Sequence, residues 1–241
     1  VPEFDSKPQS KLFALTSKVA SVLRGDKGQS PPASAPTAHA TPPQEASVSQ
    51  APPKQRTWDP EEWEEDERFI AALDLIQMNR RSDALKKLRD LHQDDPTHEG
   101  ARFALFSVGI ALKDAEVVEA QAEWVIAQHA HRGEHKELCA AYRDARQAIP
   151  HVQWPEKVLI SALLAGDKAE EGRVVVDATK LLFHRFPNTA VMPRALLASA
   201  NVQAREGRTD LACTTLKNII ARYPLDPLCE LAQRRLAELQ K

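Results

Sequence analysis

The sequence has no run of 18 apolar residues, so no segment of it reads as a membrane-spanning helix. It has no surplus of one charge: 32 Lys and Arg stand against 34 Asp and Glu, a formal net of −2, which argues against a general nucleic-acid binder driven by phosphate neutralisation. Residues 1–57 carry 7 basic and 4 acidic groups and residues 58–241 carry 25 and 30, too small a split to name a polyanionic partner. Cysteine is scarce. Cys139, Cys213 and Cys229 are widely spaced without a C-x-x-C pair, so they read as buried free thiols and lean towards a reducing, cytoplasmic compartment. Catalytic signatures are missing as well: there is no G-x-S-x-G elbow, no Walker-type loop and no H-E-x-x-H pair. The chain therefore reads as a non-enzyme with no catalytic residue, no cofactor and no metal. Without an initiator Met or a signal peptide at its start, it also reads as a processed chain or a piece of a longer protein.

What is present begins with proline. Of 17 prolines, seven fall between Pro31 and Pro53, in a stretch of Ala, Ser, Thr and Gln too poor in large apolar side chains to offset chain-ordering entropy. Residues 29–57 are expected to be a disordered linker. Residues 1–28 form a tail in which Leu12, Leu15, Val19 and Leu23 share one face of a short amphipathic helix beside Lys11 and Lys18. A tether following an upstream membrane domain fits that arrangement. Residues 58–241 are the foldable mass, large enough for one sizeable core. Their start is marked by Asp59 as an N-cap, Pro60 at the first helical position and glutamates in the first turn. Seven of the eleven residues from Trp58 to Arg68 are acidic, the pattern of a solvated first turn or of a docking site for a basic partner.

From there onward apolar residues recur at three- and four-residue steps, as in Phe69, Leu73 and Ile76 or Ala212, Leu216 and Ile219, and about ten helices result. Val174-Val175-Val176 is the one local strand signal, and it lies inside a helical pattern. Ile149-Pro150, Phe186-Pro187 and Tyr223-Pro224 recur every 37 residues, each after a helix. Asp95-Pro96 ends a similar helix, but its distance to Pro150 is not one period.

Gly207 to Ala212, leading to Leu216, Ile219 and Pro224, and Asn79 to Ala84, leading to Leu88, Leu91 and Pro96, carry a resemblance to tetratricopeptide-like (TPR-like) repeats. The segment from Phe186-Pro187-Asn188 through Leu239 is similar to the variants found in bacterial cell-envelope assembly proteins, and in soluble extensions of bacterial membrane proteins such as some rhomboid-type proteases. The stretch from Lys113 to Pro155 departs from the pattern. The resemblance implies an all-α, right-handed α-solenoid of stacked antiparallel helix pairs, closed by Leu228 to Gln240 as a capping helix with Arg234, Arg235, Glu238 and Lys241 outward. It also implies a non-catalytic scaffold for a protein or peptide partner, or else a regulatory or spacing extension of a membrane enzyme. The envelope-type repeats keep a periplasmic location open.

The groove of such a solenoid is lined by the first helix of each pair, which makes Arg102, Arg194, Asn201 and Arg205 the candidate partner contacts. His129, His131, His135 and Cys139 raise a possible zinc set, but Gly133 interrupts it, and a turn of solvated histidines is the expectation.

Overall fold

The computed structural model describes residues 66–240. The amphipathic tail, the linker and the start at Asp59 lie outside them. The described residues are 78% helical and contain ten helices and no strand. These are α1 (Glu67–Gln77), α2 (Arg81–Asp94), α3 (Glu99–Leu112), α4 (Ala115–His131) and α5 (His135–Ala148). They continue with α6 (Glu156–Lys168), α7 (Gly172–Arg185), α8 (Met192–Arg205), α9 (Thr209–Arg222) and α10 (Leu228–Leu239). Each helix packs on the next, with further contacts between alternate helices, notably α4 with α6 and α8 with α10. The valine run falls inside α7, where its β-branched side chains pack rather than pair. The expected all-α stack of helix pairs is what forms.

Four helices repeat one design. α2, α5, α7 and α9 each have 14 residues, begin from a cap at φ −80 to −89°, end at a cap at φ −129 to −135° and run into a proline. Positions four, eight and eleven beyond the N-cap are buried in all four. They are Ala84, Leu88 and Leu91; Leu138, Tyr142 and Ala145; Val175, Thr179 and Leu182; and Ala212, Leu216 and Ile219. None of these helices has a side-chain N-cap. Their entry is set instead by the helix before, which ends in a tight Schellman-type turn with one residue in the left-handed region. Asn79, Gly133, Glu170 and Gly207 hold that position at φ 59 to 73°. The backbone N–H of the next residue then reaches back five residues, as in Arg208 to Gln203 O at 2.8 Å.

The irregular spacing before Pro150 has a direct cause. Pro187 and Pro224 each close two helices, whereas three helices, α3, α4 and α5, lie between Pro96 and Pro150. α4 plays both parts. It enters through its own left-handed turn at Lys113, with Asp114 capping Val117 N at 3.2 Å, and buries Val118, Ala122 and Val125 at the same four, eight and eleven steps. It leaves through Gly133 as the first helix of the pair with α5. Its entry is close: a Cβ on Gly109 of α3 would sit 2.9 Å from Val117 Cγ1. Gly166 of α6 repeats that approach, with a Cβ 3.0 Å from Val175 Cγ2.

Where α5 meets α7, a polar bridge joins two units. Tyr142 Oη donates to Asp177 Oδ2 at 2.7 Å, and Arg146 reaches both Asp177 oxygens at 3.0 and 3.2 Å. Arg146 also donates to the Pro150 carbonyl. Burial alone would raise the Asp177 pKa, but the hydrogen bonds from Arg146 and Tyr142 outweigh it and hold the carboxyl below its usual value. Burial and the neighbouring carboxylate push the Tyr142 phenol upward. Cys139 and Cys229 are buried, Cys213 is half-buried, and all three are free.

Candidate functional site

The first helices of the C-terminal pairs also keep the 37-residue register. Lys157 of α6 corresponds to Arg194 of α8, Lys168 to Arg205, Ile160 to Leu197 and Leu164 to Asn201. Arg194, Leu197, Asn201 and Arg205 are three and four residues apart, so they form a single stripe along α8. α10 packs beside α8, and between them lies an open cleft of about 270 Å³ lined by Leu197, Asn201, Leu231, Arg234, Arg235 and Glu238. Leu231 is 38% exposed. Arg194, Arg205, Arg234 and Arg235 are all exposed. Arg235 is tied to Glu238 at 2.7 Å, while Arg194, Arg205 and Arg234 have no ion-pair partner among the described residues. The face therefore combines apolar floor with uncommitted guanidinium groups, suited to a segment that is both acidic and apolar.

Three of the four sequence candidates belong to this stripe. Arg102 does not. On α3 its guanidinium stacks over the Trp124 ring at 4.3 Å and its Nε donates to Gln121 Oε1 at 3.0 Å. It clamps α3 to α4, and burial lowers its pKa. The residues added by the structure are Leu231, Arg234 and Arg235 in the cleft; on α6, Lys157 is tied to Glu123 at 3.2 Å. Extending the proline register from Arg194 in both directions finds Lys157 and Leu231, while in the sequence Arg234 and Arg235 read as the outer face of a cap. In that register Gln233 stands where α8 has the buried Leu196, and Arg234 where α8 has Leu197. Such substitutions suit a terminal helix whose far side meets water. Lys241 lies outside the described residues.

The histidine cluster does not converge. α4 ends at His131, which is exposed, and α5 begins at His135 beyond the left-handed Gly133. Among the described residues no three His, Cys, Asp or Glu side chains are placed to share a metal ion. Cys139 lies in the core, where burial pushes its thiol up to about 11, away from the thiolate a metal needs. His129 is buried against Phe103, with Nδ1 2.7 Å from Glu134 Oε2. Beside it Arg132 pairs with Glu99 at 2.7 Å. These groups hold the α3–α4–α5 junction.

No helix among the described residues is long and apolar enough to cross a membrane. No protein-family model matches the sequence, and no curated protein matches it.

Proposed function

We propose that the chain is a non-catalytic protein-interaction module of the tetratricopeptide-like type, which binds an acidic, partly apolar segment of a protein partner along α6, α8 and α10. The observation that carries this reading is the α8–α10 face, where Leu197, Leu231 and Arg234 line the cleft and Arg194 and Arg205 continue the α8 stripe, the three arginines having no ion-pair partner among the described residues. Uncommitted guanidinium groups around exposed apolar surface offer bidentate contacts to carboxylates and a place to bury a neighbouring side chain. Neither contact requires the fold to rearrange.

The test is binding of an acidic peptide containing tryptophan to the full chain and to Arg194→Ala and Asn201→Ala variants. Each substitution is expected to weaken binding by about three- to tenfold, the loss of one rim contact, with helicity by circular dichroism unchanged. Arg102→Ala serves as the contrast, lowering thermal stability while leaving the affinity intact. Equal affinity across all three variants would remove this face from the reading.

A further inference from the structure

The α8–α10 cleft has a complementary segment in the same sequence. Trp58-Asp59-Pro60-Glu61-Glu62-Trp63-Glu64-Glu65 precedes the described residues and carries five carboxylates and two tryptophans in eight positions. It combines negative charge with large apolar rings, as the α8–α10 face combines Leu197, Leu231 and Arg234 in the cleft with Arg194 and Arg205 along the α8 stripe. Resting on the interaction reading above, we infer that the occupant of this cleft is residues 58–65 of a second copy of the chain.

Position in the stack distinguishes the same copy from another. The segment is attached at Asp66, at the start of α1, which packs on α2 and α3. Eight extended residues span at most about 28 Å. The shortest route of packed neighbours from α1 to α8 passes through α3, α5 and α7, four interhelical steps of about 8–10 Å each. The cleft stands four packing steps from the point of attachment, which favours donation by a neighbouring molecule over the chain's own segment. Donor and acceptor are different surfaces, so two molecules that exchange segments close as a dimer and those that do not grow into short chains.

Sedimentation velocity on the full chain tests this with two charge reversals. One is the acceptor triple variant Arg194→Glu, Arg205→Glu and Arg234→Glu; the other is the donor variant with Glu61, Glu62, Glu64 and Glu65 changed to Lys. The wild type should grow in average mass with concentration, and the growth should fade between about 0.05 and 0.5 M salt as charges are screened. Each variant alone should remain monomeric, and mixing the two should restore association, because lysines then face glutamates. Restoration also shows that both variants fold. Monomeric wild type at every concentration, or a mixture that stays monomeric, overturns the inference.

A second arm separates it from the broader reading. Labelled peptides are added to the donor variant, whose cleft is native: residues 57–66, a scramble of the same residues, and an unrelated acidic peptide with two tryptophans. Binding of the native peptide about tenfold tighter than the scramble supports the inference. Equal binding of all three leaves an acidic-segment groove and removes this occupant. No binding by any of them removes both.

Discussion

The three-helix stretch α3–α5 and the two-helix units from α6 onward solve the same packing problem with different chemistry. In α6–α9 the side-chain hydrogen bonds between helices are neutral: Thr179 to the Ala195 carbonyl at 3.2 Å and Thr215 to Gln203 at 2.9 Å. Apolar register does the rest. In α3–α5 the helices are pinned by charged groups, including Arg132 with Glu99, His129 with Glu134 and Arg102 with Gln121 and Trp124. Glu119 and Glu123 carry the same habit on to Gln153 and Lys157. A helix that breaks the repeat meets neighbours that repetition has not shaped for it, and directional contacts define its place where register does not.

The largest effect should come from the regular side. Leu216→Ala empties a fully buried register position and is expected to cost about 3 kcal/mol, read as a lower urea midpoint. If the contrast holds, the loss falls on α8–α10 in hydrogen exchange before it reaches α3–α5. Next, Glu99→Ala strands the Arg132 guanidinium in a site where both side chains are about 15% exposed, and should cost about 2 kcal/mol centred on the α3–α5 junction. An equal loss of protection in α8–α9 would dissolve the distinction between the regions.

Acid should separate them without mutation. Burial pushes the His129 pKa below its ordinary 6.5, against the pull of Glu134, so the folded state favours the neutral ring. Its contribution is complete above the unfolded value and is lost as pH falls through 6.5 towards the lower folded value. Asp177 extends the effect further: with its carboxyl held below 3.8, its stabilisation is present above that value and disappears as pH drops beneath it. Hydrogen exchange, corrected for intrinsic rate, should show α4–α5 opening between pH 7 and 5 while α8–α9 stay protected; uniform opening would contradict the comparison.

The smallest effect concerns turns. Glu170 holds a left-handed backbone, φ 59°, where a Cβ costs about 1–2 kcal/mol. Glycine relieves that strain but loses more entropy on folding, so Glu170→Gly should stabilise the fold by a net of about 0.5 kcal/mol, read as a higher thermal midpoint. Gly207→Ala, at the equivalent turn, should lower it.

Much of this architecture was legible because helix periodicity and proline spacing are local signals. Two helices, α5 and α7, keep the proline spacing but escape the small-then-large motif because their volumes are redistributed. α9 places small Ala212 first and large Leu216 and Ile219 after it, whereas α5 places Leu138 first and small Ala145 last, and α7 uses Val175 and Thr179. The same three positions are filled, but a search for small-then-large misses them. The double role of α4 was hidden for the opposite reason: Val118, Ala122 and Val125 fit the ordinary pattern, and only the number of helices between prolines reveals the extra one. At the site, Arg194, Asn201 and Arg205 could be placed by helical spacing. Arg102 looked like them because the Trp124 that covers it comes from another helix, a contact no local pattern encodes.

The odd helix has one more consequence. Successive helices joined by short links run in opposite directions, so an even number leaves the polarity of every later helix unchanged and an odd number inverts it. With α3, α4 and α5 between Pro96 and Pro150, the first helices α6, α8 and α10 point opposite to α1 and α3. The Pro96 turn opens on one edge of the array and the turns at Pro150, Pro187 and Pro224 open on the other. A partner that tracks the first helices from end to end crosses a seam at which the positive ends of the helix dipoles change sides.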